Sequence, residues 1–287
     1  MICFSPSFCD YFPAPGYRVK RHNILLLIAT VSLLTSFSSS PAAADHANPA
    51  VPVEVTAGVV SGVSLSAACS RFNELNTLIR DGRIGRSAAR ADLSRILAEV
   101  RDEYHRAGAR DYSRTEWIFP LAGYDSRAIG GGRRHGYTAR GYDYYSGNRH
   151  GGHPSFDIFI RDRNRDSRDD RNGCPVKVLS LTGGVVVALE REWEPGSRLR
   201  GGRYLWIYDP SSDLLVYYAH NGELSVKLGD VVRPGDQLAT VGRSGWNAAK
   251  LRSPTHLHLT VVKAAGGRVV PVDVYLDLKN TRNAPAL

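Results

Sequence analysis

A mainly β fold, antiparallel and sheet-rich, preceded by a small αα-hairpin, is what this sequence predicts. Three observations point to it. Beyond Trp117 the chain breaks into short runs rich in Val, Ile, Leu and Tyr, residues that suit a pleated, half-buried surface. Glycine clusters at Gly130-Gly131-Gly132, Gly151-Gly152, Gly183-Gly184 and Gly201-Gly202 punctuate those runs as turns do. Between residues 63 and 110 the apolar residues recur instead every three or four positions, the period of a helix.

Residues 1–44 do not read as part of the fold. Arg18, Lys20 and Arg21 form a basic stretch ahead of an apolar run, Ile24 to Leu34, that is short for a membrane span. Ser38-Ser39-Ser40-Pro41 breaks the run, and Ala42-Ala43-Ala44 offers a small-residue cleavage site. The expectation is a secretory signal peptide, hence a periplasmic or secreted protein with no stable membrane anchor after cleavage; an uncleaved anchor is the alternative. The chain of 287 residues carries a formal net charge of +9 and stays basic without the leader. A basic exported protein is drawn to polyanions such as an anionic cell wall. Its Arg residues are scattered among Asp, with no aromatic-lined basic stripe, so no nucleic-acid partner is expected.

A linker is expected over 45–62. Ser64 or Ser66 would cap a first helix through Phe72, Leu75, Leu78 and Ile79, ended by Asp81-Gly82. Ser87 would open a second, with Leu93, Ile96, Leu97 and Val100 on one side, running to about Ala107 before Gly108. This helical segment, 63–110, holds no cluster of ligands or nucleophiles; it would pack against the next domain, partly cover it, or act as a spacer. Cys69 in this segment and Cys174 in the main domain would pair in an oxidising compartment, or remain two separate thiols.

The main domain is expected over 115–280, with 281–287 as a tail. Its strand-like runs are Asp157 to Ile160, Val176 to Leu181, Val185 to Leu189, Tyr204 to Tyr208, Leu215 to Ala219, Gln237 to Val241, Leu257 to Val262 and Val269 to Val274. Asn221-Gly222 reads as a hairpin turn that leaves His220 at a strand end. The segment Arg161 to Arg171 alternates Asp and Arg and reads as a solvated, self-compensated charge run, with a calcium loop as the alternative.

The chemistry gathers around Thr255-His256-Leu257-His258-Leu259. On a strand, residues two apart share a face, so His256 and His258 project together while Leu257 and Leu259 face a core. Two imidazoles side by side suit metal binding or proton transfer. Upstream, His153 and Asp157 would stand roughly 13 Å apart on a straight strand. They can share one metal only if the chain bends, which Gly151-Gly152 and Pro154 permit. His150 is a nearby competitor on what reads as a surface loop. Ser244 in Gly242-Arg243-Ser244-Gly245 looks nucleophile-like, though a Gly-rich turn explains it better.

The order His-x-x-x-Asp, Tyr218-Ala219-His220, a Gly-Asp turn at Gly229-Asp230, Gly-x-Ser-Gly, then Thr-His-Leu-His resembles the M23 (lysostaphin- and LytM-type) zinc metallopeptidases, over roughly Trp117 to Leu278. The resemblance implies a LytM/M23-like domain and a Zn2+ cofactor. It implies His153, Asp157 and His258 as metal ligands, and His220 and His256 as the catalytic pair. It also implies hydrolysis of peptide crosslinks in peptidoglycan, through a water activated by the metal. Two departures concern the shape of the cleft: Pro154-Ser155-Phe156 stands where the family usually has a glycine, and the 161–171 segment looks like an insertion. The alternatives are a non-catalytic wall-binding or amidase-activating module on the same fold, and a zinc peptidase acting on proteins.

Overall fold

Residues 63–285 are described in a computed structural model of the chain. The expected leader with its cleavage site, the linker over 45–62, Cys3 and Cys9 lie outside the described residues.

The helical hairpin forms as the apolar period predicts. Helix α1 spans Val63–Arg80 and α2 spans Arg86–Arg106. α1 therefore begins ahead of both serines proposed as its cap. α2 starts from Gly85, which makes no side-chain capping bond, so Ser87 lies one residue inside it. Gly82, at φ +67°, closes α1 with its amide donating to the Ile79 carbonyl at 3.1 Å. Phe72, Leu75 and Ile79 on α1 meet Leu93, Ile96, Leu97 and Val100 on α2, all buried. Each such side chain contributes about 1.5–3 kcal/mol by leaving water.

Among the described residues nine antiparallel strands follow: β1 Ser155–Phe159, β2 Lys177–Leu179, β3 Gly184–Glu190, β4 Arg203–Asp209, β5 Leu214–Leu224, β6 Val231–Val232, β7 Gln237–Val241, β8 His256–Ala265 and β9 Arg268–Pro271. Their main order is β1-β8-β5-β4-β3-β6, with β9 on β8 and β7 joining β5 to β2. The two-residue period of the strands sorts the sheet into two faces. Val216 and Tyr218 of β5, with Leu257, Leu259 and Val261 of β8, enter one core together with Trp117, Phe119 and Leu121. Leu215 and Ala219 of β5, Tyr204, Trp206 and Tyr208 of β4, and Val262 and Ala264 of β8 face the other way, under α1 and α2. The hairpin is thus built into the sheet's second core. A spacer role does not describe it.

Several expectations need correction. Asn221-Gly222 is not a hairpin turn: β5 continues to Leu224 and changes partners, Ala219 pairing with His258 on β8 and Asn221 with Val241 on β7. His220 is therefore inside a strand. Residues 117–154 hold short 3-10 turns and isolated bridges in place of strands, among them Leu121 with Val178 and Thr138 with His153. A short helix, α3, covers Tyr275–Asn280. The described part of the expected tail, 281–285, is tied down, since Phe119 donates to the Arg282 carbonyl at 2.8 Å and Gly123 to that of Ala284 at 2.9 Å. Of the two states left open for the cysteines, Cys69 and Cys174 take that of separate thiols, with Cys69 turned by α1 into the helical core and Cys174 exposed on a turn. The 161–171 run is solvated only in part. The Asp162 carboxylate is buried and accepts from Asp166 N, Ser167 N and Thr255 Oγ1 at 2.6–3.0 Å, which ties the segment to the residue before His256.

Candidate metal centre and cleft

β8 carries His256 and His258 on the face shared with Val262, while Leu257 and Leu259 are fully buried on the other, as alternation requires. β1 lies beside it in antiparallel register, Asp157 opposite His258 and Phe159 opposite His256. That register brings Asp157 Oδ1 to 2.9 Å from His258 Nδ1.

His153 reaches the same carboxylate because the chain bends before β1. Gly152 adopts φ +71°, and any Cβ there would strike the Thr138 and Arg140 carbonyls. The backbone of His153 then pairs with Thr138 in both directions at 2.7 Å. Its Nε2 lies 3.3 Å from Asp157 Oδ1, while its Nδ1–H donates to the Gly136 carbonyl at 3.1 Å. One ligand atom each from His153, Asp157 and His258 lies within 4.8 Å of the others. Two imidazoles and a carboxylate at that spacing, with His153 oriented by a carbonyl behind it, fit a divalent zinc with a position left open.

His220 arrives by a different device. Regular alternation after Tyr218 and Ala219 would send it to the Tyr218 face. Instead His220 takes φ +66° where β5 changes partners. Its ring centroid consequently lies 4.9 Å from that of His256 and 5.4 Å from that of His258. A bulge re-aims the side chain into the site. The Nδ1–H of His220 donates to the Ser244 carbonyl at 2.8 Å, and that of His256 to the Pro254 carbonyl at 2.8 Å. Both rings therefore leave Nε2 unused by those carbonyls, and on His220, whose neutral form burial favours, it carries a lone pair. His256 Nε2 stands 3.7 Å from Asp157 Oδ1.

The electrostatics follow from burial and from one shared carboxylate. Burial opposes ionisation of Asp157, but hydrogen bonds from His153 and His258 outweigh it and hold its acid form far below the usual carboxylate range. Burial pushes His220 well below the ordinary imidazole value, aided by the neighbouring His258 and His256. His258 is lowered by burial too, against the pull of Asp157. His153 moves the other way, raised by its bond to Asp157, since it is the more exposed of the two partners. Burial thus favours the neutral form of the His220 and His258 imidazoles.

Ser244 is not a nucleophile. Its buried hydroxyl donates to the Asn221 carbonyl at 2.7 Å and accepts from the Arg203 amide at 2.8 Å, which locks the β5 bulge and leaves its own carbonyl for His220. Gly245, at φ +108°, lets this turn pass His220; a Cβ there would sit 2.9 Å from His220 Nδ1. His150 lines the cleft but its Nδ1–H donates to Gly151 O, and it stays out of the ligand cluster.

The cleft over these five residues has a volume of about 370 Å³. Trp206 and Tyr217 form an aromatic floor, their rings 4.5 Å apart. Asn76, Ile79 and Arg80 of α1, with Tyr142 and Tyr144, make one wall. The sequence offered a helical pair that partly covers the domain, but no signal that α1 would line the cleft, nor that Arg200 would stand in it.

Residues 171–272 match the model of peptidase family M23. The match contains His220, His256 and His258; His153 and Asp157 precede it. Among solved structures, the chain is similar to the catalytic domain of the antimicrobial peptidase lysostaphin from Staphylococcus simulans, at 20% identity and TM-score 0.33, over 47% of this chain and 81% of that one. It is similar to a zinc-containing peptidase from Vibrio cholerae at 23% identity and TM-score 0.34, over 58% of this chain and 41% of that chain. It is also similar to the catalytic domain of the prophage-encoded M23 protein EnpA from Enterococcus faecalis, at 18% identity and TM-score 0.31, over 53% and 92% respectively.

Proposed function

We propose that this chain, whose residues 171–272 carry the pattern of peptidase family M23, is an exported zinc metalloendopeptidase that hydrolyses peptide crosslinks of peptidoglycan. The observation that carries the reading is convergence: His153, Asp157 and His258 meet within ligand distance, and His220 and His256 flank them on the same sheet face.

His153, Asp157 and His258 would hold the metal. Zinc in that position supplies Lewis acidity that polarises a peptide carbonyl and lowers the pKa of water toward ~7. The remaining work falls to the chain. His220, kept neutral by burial and fixed through Nδ1, presents Nε2 as an acceptor for the proton of an attacking water. His256, fixed the same way from Pro254, can donate from Nε2 once protonated, to a developing oxyanion or to the leaving amine. Either ring fits either role by this geometry. The serine beside them is committed to the backbone, so the chemistry runs without an acyl-enzyme. The aromatic floor and the α1 wall shape a narrow groove for an extended peptide.

Export rests on the leader read from the sequence, and a basic surface suits an anionic wall. Among the described residues, no helix is long and apolar enough to cross a membrane. A zymogram on purified peptidoglycan tests the reading. Clearing is expected, with loss on chelation and recovery on adding zinc. Wall left intact by zinc-loaded protein would overturn it.

A further inference from the structure

Arg200 stands in the cleft beside the metal cluster, and the proposed chemistry makes no use of it. It lines the same cavity as His153 and His258, and it is exposed to solvent. Its guanidinium is anchored at one nitrogen only: Nη1 donates to the Asn148 carbonyl at 3.2 Å and to the His150 carbonyl at 3.0 Å. Those carbonyls belong to the 3-10 segment Tyr144–Arg149 and the residue after it. That segment is pressed onto the end of α1, where Gly147 meets the Ile79 and Arg80 carbonyls. Arg200 is therefore tied through that segment to the α1 side of the cleft that also contains the metal cluster.

Its charge is uncompensated. Arg80, the other arginine lining the cleft, is neutralised by Asp81 and Glu190, each at 2.8 Å. Among the described residues Arg200 has no carboxylate within ion-pair distance, and Asp157 is the one acid among the cleft-lining residues. A guanidinium fixed by one nitrogen and free at the others presents a planar fork, the geometry that recognises a carboxylate through paired hydrogen bonds.

We infer that Arg200 selects substrates carrying a free carboxylate, seated between the metal cluster and the α1 wall. This rests on the peptidase reading above and narrows its substrate class to acidic peptides, as against uncharged ones such as oligoglycine. The carboxylate can be a chain terminus or an acidic side chain, since the fork recognises the group and not its attachment. Because α1 and Tyr144–Arg149 build the wall against which the carboxylate is held, the helical hairpin takes part in selection.

The test uses the zinc-loaded full chain and ligands too short to be turned over readily: acetyl-dialanine as free acid, the same compound as its amide, and acetyl-glutamyl-alanine amide. Affinities come from NMR titration. At least one carboxylate ligand is expected to bind about tenfold more tightly than the neutral amide, and the two acids separate a terminal from a side-chain source. Arg200→Gln should level that difference, and Arg200→Lys should keep part of it, with zinc content unchanged in both. Equal binding of acids and amide by the wild type overturns the inference, as does no measurable binding of any of them. A preference that survives in Arg200→Gln overturns it too, and points to the metal as the carboxylate receptor. Failure of the peptidase reading looks different: peptidoglycan stays intact while the acid-over-amide preference and its loss in Arg200→Gln persist.

Discussion

Asp157 and His258 stand directly opposite each other in the β1–β8 ladder, Oδ1 to Nδ1 at 2.9 Å, on strands that also bring Phe159 opposite His256. One antiparallel register thereby places a carboxylate under two histidines. A slip by a single residue would turn Asp157 to the opposite face and dissolve the cluster.

The first prediction follows from that register. His153→Ala, Asp157→Ala and His258→Ala should each lower zinc affinity by more than about 100-fold, since each removes one of three ligand groups. Metal analysis after dialysis against a weak chelator checks it. Full zinc retention in any one of them would remove that residue from the ligand set.

His220 and His256 should separate catalysis from metal binding. Both rings are fixed by backbone carbonyls and flank the cluster without belonging to it. His220→Ala and His256→Ala are expected to keep zinc and to lose about 10²–10⁴ in crosslink hydrolysis. Zinc content and released peptides measured on the same samples decide it; near-normal hydrolysis would make that histidine structural.

The metal-free protein should lose stability as pH falls through about 6.5. Burial lowers the folded-state pKa of His220, so the unfolded chain binds the proton first. The stability tied to His220 is present above the unfolded value and is lost as pH falls toward the folded one. His258, also lowered by burial, adds with the same sign and His153, raised by Asp157, with the opposite one, so the His220 part is read from the difference between variant and wild type. His220→Gln should flatten the dependence of Tm on pH between about 5 and 7 relative to the wild type. Parallel profiles for the two proteins would contradict it.

Gly147 docks the cleft wall on α1. At φ +52° it lies against the Ile79 and Arg80 backbone, and an added Cβ would sit 2.8 Å from Arg80 Cα. Gly147→Ala should cost about 1–3 kcal/mol in denaturant unfolding. A change within a few tenths of a kcal/mol would mean that the contact gives way freely.

The two thiols of the described region should differ sharply. Cys174 is exposed, whereas burial, with Glu103 nearby, pushes the Cys69 thiol up to about 12. Iodoacetamide should label Cys174 in the folded protein and Cys69 only after unfolding. A peptide linking the two under non-reducing conditions would show the pairing that the geometry lacks.

Much of this was legible in the sequence, for local reasons. A period of 3.6 marked α1 and α2, a period of two marked the strands, and alternation alone put His256 and His258 on one face with Leu257 and Leu259 behind them. The glycines around His153 announced a bend. Those signals are carried by neighbours along the chain. Where the sequence misled, it did so at positions decided by distant partners. Asn221-Gly222 has the chemistry of a turn, but pairing with Val241 and Ala239 on β7 carries β5 on through it with a shift of register.

The sequence by itself therefore named the candidate residues and the kind of element on which each sits. Only the tertiary structure decided how they meet. His220 is aimed by a bulge that exists because β5 serves two partners and Ser244 locks the turn. Cys69 is separated from Cys174 by the way α1 packs on the sheet. Arg200 is one of 37 Lys and Arg residues and has no local signal. Its place in the cleft depends on carbonyls about fifty residues away, a relationship set by packing and invisible to any period along the chain.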